Sequence, residues 1–320
     1  MRLAMPASIL GSIAAGLLAA GLLAAARPQD GARAPGLAEG VDRTSFTWGT
    51  TKNGGFVLVA TVHLSSGWHS YWQNPGDAGG DPPRFELTVP PGWQVGPTVY
   101  PRPDVKLIDG APFYGYEGRA TYLVPVTKTD SLSDDSWSKP KGGDGSGQAT
   151  GWKLDARFMA CRDRCTISKA SARGDWPPVT EAGQIDLNGG SVAGRSLPLT
   201  AAKAGAFAKL EVGKVTIDIP GSLGGTAAFI PSAVPGLQIQ LPEGQAAIQG
   251  APGPNGARIT FRPDALGSGP GEPAVSGLIL VGSAPSDPCV WLTIPHPLAG
   301  PGNSLGANGV GSSPDAPPAP

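Results

Sequence analysis

Trp152-Lys153-Leu154-Asp155-Ala156-Arg157-Phe158-Met159-Ala160-Cys161-Arg162-Asp163-Arg164-Cys165-Thr166-Ile167 is the stretch on which the reading of this chain turns. Over residues 152–158 apolar and charged side chains alternate. A period of two marks a half-buried β-strand, because successive side chains point to opposite faces of a sheet. Arg162-Asp163-Arg164 then reads as a tight turn, since three-residue loops commonly join hairpin strands. Cys161 and Cys165 face each other across it. Opposed residues of a non-hydrogen-bonded pair have Cα atoms about 4.5 Å apart, near the short limit for a disulfide, so the two can bridge.

The charges around the pair matter as much as its spacing. Arg157, Arg162, Arg164 and Lys169 bracket it, against Asp155 and Asp163. Cationic neighbours favour the thiolate, the species that attacks disulfides and binds soft metals. The plainer alternative is a structural bridge on a surface hairpin, common in exported chains.

The composition sets the frame. Net charge is −1, which gives no footing for nucleic acid or an anionic membrane surface as partner. With 48 Gly and 35 Pro, many turns and few long helices are expected, while a 40% apolar fraction still allows a core. Arg2 is followed by an uncharged Leu/Ala-rich run over residues 7–26, ending in Ala24-Ala25-Ala26. That reads as a signal peptide, 1–26, cleaved near Ala26; an uncleaved anchor is the alternative. The remainder is then expected outside the cytoplasm, in the periplasm or an equivalent space, where disulfides persist.

Residues 27–40 read as a polar linker. The strongest strand expectation is residues 56–64, β-branched and opened by Asn53-Gly54-Gly55. Residues 85–89 alternate and stop at Pro90-Pro91; residues 121–126 form another strand, with Pro125 pointing to an edge or a bulge. Residues 133–151 read as a loop, residues 182–210 as a connector, and residues 200–210 as the one helix candidate. A second strand set follows: 215–219, 237–241, 257–261, 275–281 and 290–294. The fold expected is all-β, with two immunoglobulin-like antiparallel β-sandwich domains, at 41–181 and 211–297. The Gly/Pro-rich residues 298–320 have little to bury and are expected to be disordered.

Three further stretches join the cysteines: Gly67-Trp68-His69-Ser70-Tyr71-Trp72-Gln73-Asn74-Pro75-Gly76-Asp77-Ala78-Gly79; Pro90-Pro91-Gly92-Trp93 with Tyr100-Pro101; and Phe113-Tyr114-Gly115-Tyr116-Glu117-Gly118. In this order, over residues 45–172, they resemble the N-terminal periplasmic domain of the thiol:disulfide interchange protein DsbD. The resemblance is closer to its relatives of the ScsB, copper-sensitivity-suppressor type. It implies an immunoglobulin-like sandwich whose Cys161 and Cys165 cycle between dithiol and disulfide as a reductase-like component. It implies a cap over them by Phe113, Tyr114 and Gly115. It also implies oxidised, thioredoxin-like periplasmic partners. The spacing of the pair follows the ScsB-like branch, and Thr166-Ile167 stands where DsbD has Ile-Pro. No stretch beyond the N-terminal segment is apolar enough to cross a membrane, so a separate membrane electron donor is expected.

Other residues offer competing readings. His69, between Trp68 and Tyr71, reads as packing beside a turn rather than as an acid–base group, since one histidine carries little by itself. His63 alternates against Val62 and Leu64, and His296 sits between prolines. No His/Cys spacing makes a zinc site, and no cofactor is required. Cys161, Cys165 and Met159 are soft donors that suit Cu(I), provided Met159 and Cys161 share a strand face. The aromatics Trp68, Tyr71, Trp72, Trp93, Tyr114 and Tyr116 read as core and cap rather than as a sugar platform. Asp77 and Glu117 have no fixed separation to make a glycosidase pair. Cys289 reads as a buried thiol at a strand start, with a mixed disulfide as the alternative.

Overall fold

The computed structural model describes residues 36–129, 151–268 and 273–296. The segment 1–26 read as a signal peptide, most of the stretch 27–40 read as a linker, nearly all of the expected loop at 133–151 and the tail beyond 297 lie outside the described residues. Those that are described fall in one compact unit and are nearly all β, in several mainly antiparallel sheets.

The first sandwich uses β1 (Val41–Thr51), β2 (Phe56–Leu64), β3 (His69–Tyr71), β4 (Arg84–Thr88), β5 (Trp93–Val95), β6 (Asp104–Ile108), β7 (Ala111–Glu117), β8 (Arg119–Lys128), β9 (Gly151–Cys161), β10 (Cys165–Asp175) and β11 (Thr180–Ile185). One sheet has the order β11-β1-β2-β8-β5, the other β10-β9-β3-β7-β6, with β4 also on β9. Leu58, Ala60, Val62 and Leu64 of β2 and Leu154, Ala156, Phe158 and Ala160 of β9 meet in the core between the sheets. β2 is apolar on its other face as well, where Val57 and Val59 pack with Leu123, Ile185 and Leu197. Burial on both faces is why residues 56–64 read as a nearly unbroken apolar run.

Pro125 shows how local chemistry is absorbed. It pairs with Val57 on the β2 side. On the β5 side the register slips between Val95↔Val126 and the bridge Val99↔Leu123, where the missing N–H falls. The expected bulge is thus on one side of an interior strand.

A short hairpin, β12 (Ser191–Val192) and β13 (Arg195–Ser196), leads to the second sandwich. This contains β14 (Leu199–Thr200), α1 (Ala201–Ala204), β15 (Phe207–Glu211), β16 (Lys214–Pro220), β17 (Ala227–Pro231), β18 (Ile248–Gln249), β19 (Ala251–Gly253), β20 (Gly256–Phe261), β21 (Val275–Val281) and β22 (Cys289–Ile294). The sheets β14-β22-β21-β17-β18 and β15-β16-β20-β19 enclose a second core that includes Val215, Ile217, Ile259, Phe229 and Ile279. Leu278 and Leu280 of β21 face the other way and join the first core. Burial on both faces again explains a continuous apolar strand.

Three sequence expectations are corrected. The connector at 182–210 begins inside β11, which lies parallel to β1 through Thr50↔Gln184 and Thr51↔Ile185, so the divide at 181 cuts a strand. The helix at 200–210 is only α1: Thr200 caps its start, and Gly205, at φ 66°, ends it before Phe207 enters β15. Residues 237–241 alternate but form no strand. Gln238 makes an isolated bridge to Ala265, and the N–H of Gln240 donates to Asp264 Oδ2 at 3.1 Å. Leu237, Ile239 and Leu241 still pack on the second core, so the pattern reports burial without a ladder.

Candidate functional site

β9 and β10 form one long hairpin, in register from Cys161↔Cys165 to Gly151↔Asp175. Arg162-Asp163-Arg164 closes it, with the N–H of Arg162 donating to the carbonyl of Arg164 at 3.1 Å. The two sulfurs are bonded and the Cα atoms stand 4.1 Å apart. Alternation holds through Ala160, which is fully buried in the inner core, so Met159 and Cys161 share the outer face. The two cysteines differ sharply in surroundings: Cys161 keeps 3% of its exposure, whereas Cys165 is exposed.

The burial of Cys161 comes from a small apolar cluster outside the main core. β3 bonds to β7 through His69↔Glu117, Ser70↔Tyr116 and Tyr71↔Gly115, and to β9 through His69↔Cys161. Directly opposed residues project to the same face. His69, Tyr71, Phe113 and Glu117 therefore share the outer face with Cys161, while Ser70 turns inward to lie 3.0 Å from the Tyr122 hydroxyl. Tyr71, Phe113 and Cys161 form a buried cluster, with Met159, Ile108 and Ala78 packed on it. The Phe113 ring lies 4.7 Å from the His69 ring and 5.8 Å from the Tyr71 ring, both edge-on.

Two glycines make this possible. A Cβ on Gly115 would stand 2.4 Å from Phe113 Cζ and 2.2 Å from the carbonyl oxygen of Ser70, so the Phe113 ring occupies space that any other residue would fill. Gly80, at φ +115°, presses its backbone on the Tyr71 ring, where a Cβ would fall 2.2 Å from Cζ. The chain after β3 thus lies over Tyr71, and the N–H of Asp81 donates to Met159 Sδ at 3.3 Å.

The structure divides the Phe-Tyr-Gly motif. The three residues lie within strand β7 rather than in a loop. Phe113 lies on the outer face in the cluster with Cys161, but Tyr114 faces inward and packs edge-on to Trp72 at 6.3 Å. The expectation that both aromatics cover the cysteines is therefore corrected, because neighbours along a strand must point to opposite faces.

The charges are also rearranged relative to the sequence expectation. Arg162 pairs with Asp163 at 2.9 Å, Arg164 with Glu39, and Arg157 with Asp81 at 3.6 Å. Each arginine beside the disulfide has a carboxylate partner from its own turn or from a distant segment, which weakens its pull on a thiolate. His69 is 9% exposed, and its Nε2 shares a hydrogen bond with the Tyr71 hydroxyl at 3.2 Å. Burial holds the His69 pKa below the ordinary imidazole value; Lys106 adds to this and Glu117 opposes it. Burial pushes the Tyr71 phenol up to about 12. The alternation of His69 and Tyr71 about Ser70 was visible in the sequence, but a three-residue strand is too short for periodicity to place it against β9.

The remaining candidates lie elsewhere. His63 sits between Arg43 and Arg119 in the other sheet, and burial, then those cations, lower its pKa. His296 is exposed beyond β22. Cys289 starts β22, is fully buried, and burial pushes its thiol up to about 12 against the opposing field of Arg102. Trp68, Tyr71, Trp72, Tyr114 and Tyr116 are buried, and Trp93 packs against Phe56 and Trp176. Glu117 is ion-paired with Lys106. Among the described residues no group of three or more His, Cys, Asp or Glu is arranged to hold a metal ion, and no residue is assigned as a metal ligand.

A hairpin disulfide with Cys161 buried in a cluster with Tyr71 and Phe113, and Cys165 exposed, is the geometry of the site. Residues 39–172 match the family described as "Thiol:disulfide interchange protein DsbD, N-terminal". This part of the chain is a DsbD-like N-terminal domain. The matched interval contains every residue of the cluster on the outer face. Among solved structures, the N-terminal periplasmic domain of ScsB from Proteus mirabilis is similar at 14% identity and a TM-score of 0.49, over 81% of this chain and 94% of that one. No curated protein matches the sequence. No described helix is long and apolar enough to cross a membrane.

Proposed function

We propose that the DsbD-like domain is an extracytoplasmic thiol–disulfide exchange module acting through Cys161 and Cys165. The observation that carries this reading is the asymmetry of the pair, with Cys165 exposed and Cys161 buried in a cluster with Tyr71 and Phe113. Exchange needs one sulfur that a partner can reach and a second held in reserve. In the reduced state the Cys165 thiolate attacks a partner disulfide, forming a mixed disulfide and releasing one partner thiolate. Cys161 then attacks Cys165 Sγ, which re-forms the intramolecular bridge and releases the second partner thiolate. Two electrons pass to the partner, which belongs to the class of oxidised thioredoxin-like proteins. A separate membrane donor returns the electrons. The second sandwich is a platform that orients the first.

The deciding experiment is the reduction potential of the pair, by equilibration in glutathione buffers with thiol labelling. A value in the range of about −270 to −180 mV supports exchange. A value below about −300 mV marks a static bridge and overturns the reading. Failure of the pair to oxidise at all directs the work to a Cu(I) titration of the reduced protein, with the Cys161→Ser, Cys165→Ser double variant as control.

A further inference from the structure

His69 is the residue that the exchange reading leaves without a task. It is the direct ladder partner of Cys161 across β3 and β9, and of Glu117 across β3 and β7. Opposed residues have Cβ atoms about 4.5–5.5 Å apart on one face, which brings imidazole and thiol within reach of each other. Its ring is held edge-on to Phe113 and Tyr71. Its Nε2 is held by the Tyr71 hydroxyl, so the ring orientation is fixed from outside the reacting pair. A residue placed only to fill space at this position has no need of a ring nitrogen anchored in this way.

We propose that His69 is the proton acceptor for Cys161 in the resolving step. This rests on the exchange reading above. Cys161 is buried in apolar surroundings, which favour the thiol over the reactive thiolate. It therefore needs a local base at the moment it attacks. Neutral His69, its Nε2–H donating to the Tyr71 hydroxyl, takes the Cys161 proton on Nδ1, giving imidazolium beside thiolate. Cys161 Sγ then bonds to Cys165 Sγ, and the bond from Cys165 to the partner sulfur breaks. The departing partner thiolate carries off the electron pair, and His69 returns its proton to that thiolate or to solvent. Atoms and electrons balance with no further reactant.

The surroundings suit a base that is neutral when free. From β7, Glu117 faces His69; from β6, Lys106 pairs with Glu117 and lies 5.3 Å over the Phe113 ring. From β3 itself comes the Tyr71 phenol, and from β9 and β10 the two cysteines. Arg162 in the turn is occupied by Asp163 and by the Trp68 ring at 5.5 Å, and Arg157 by Asp81. Burial and Lys106 favour the neutral ring, and Glu117 supports the cation once it forms.

The test follows the two steps separately in the reduced full-length chain. Dithiobis(nitrobenzoate) gives one thionitrobenzoate when Cys165 attacks and a second when Cys161 resolves, both read by stopped-flow absorbance. The profile is taken from about pH 5 to about pH 9, spanning the imidazole and thiol titrations. In His69→Gln the second phase is expected to slow by roughly tenfold or more near neutral pH, with the first phase unchanged and the gap closing at alkaline pH. An unchanged pH profile of the second phase overturns the proposal and leaves exchange intact. If the wild type gives no second phase, the exchange reading fails first and the proposal falls with it. If His69→Gln does not fold, Tyr71→Phe keeps the ring and removes the anchor of Nε2. A shifted midpoint of its second phase supports the proposal, and an unshifted one overturns it.

Discussion

At the scale of single residues, Phe113 and Gly115 are a pair in which the glycine matters for the space it leaves. Phe113→Ala removes a ring from the buried cluster around Cys161, the ring proposed as its cover. A fully buried Phe→Ala change costs about 3–5 kcal/mol, and access to the sulfurs governs the exchange rate. We expect lower stability in urea together with roughly tenfold faster reduction by dithiothreitol. Tyr114→Ala is the control: a comparable loss of stability with an unchanged reduction rate, because that ring faces the other way. Equal rate changes in the two variants would remove Phe113 from the role of cover. Gly115→Ala drives a methyl group into the Phe113 ring and into the Ser70 carbonyl oxygen, and is expected to displace the ring and loosen the β3–β7 ladder together, lowering stability as well as speeding reduction. His69 gives a pH signature of its own. Its folded pKa lies below the unfolded value of 6.5, so the unfolded chain binds more protons as the pH falls below that value. Stability is full above about pH 6.5 and declines toward the lowered folded pKa. The difference in thermal midpoint between wild type and His69→Gln should therefore change between about pH 7 and pH 5, with the wild type losing more on acidification.

Among the elements, the long apolar strands were plain in the sequence and the short ones were not. β2, β9, β20 and β21 follow the alternating or continuous apolar patterns closely, because burial on one face or on both writes itself directly into residue type. The hairpin around Cys161 and Cys165 was legible for the same reason. β3 was not, since three residues carry no period, and it is the element that brings His69 to Cys161. Residues 237–241 show the opposite failure, in which alternation records half-burial of a segment whose backbone bonds run to a bridge and to Asp264. One inter-sandwich bond left no sequence signal at all. Arg102, 4% exposed, reaches from the segment before β6 into the turn between β21 and β22. It donates to the carbonyls of Val281 at 2.9 Å, Gly282 at 2.7 Å and Pro288 at 2.8 Å. Arg102→Met leaves these acceptors without their charged donor, and we expect a loss of about 3 kcal/mol in chemical denaturation. Arg102→Lys should recover only part of it, since an ammonium lacks the planar fork. A neutral Arg102→Met would mean that the sandwiches are held by apolar contact alone.

For the whole molecule, that apolar contact is substantial. Ile230, Leu278, Leu280 and Cys289 of the second sandwich join the core of the first, Trp72 meets Trp291 at 6.3 Å, and Asn74 Nδ2 donates to the carbonyl of Pro231 at 2.8 Å. The two sandwiches are expected to unfold together. The buried tyrosines make alkali the sensitive probe. Burial raises Tyr71 from 10.0 to about 12, and Tyr100, Tyr114, Tyr116 and Tyr122 shift in the same direction. The unfolded chain therefore loses protons first as the pH rises above 10.0, so stability is full below that value and falls above it. Tyrosinate absorbance should appear together with loss of tertiary structure; a separate, earlier titration of most tyrosines would contradict their burial. The hairpin beneath the disulfide has its own consequence. Backbone pairing matches β9 to β10 through eleven positions, with Cys161 opposite Cys165 at the end of the ladder. Closing so small a ring removes little freedom from the unfolded chain. Opening the bridge is therefore expected to leave the hairpin in place, and amide protection along β9 and β10 should be nearly the same with the bridge open as with it closed.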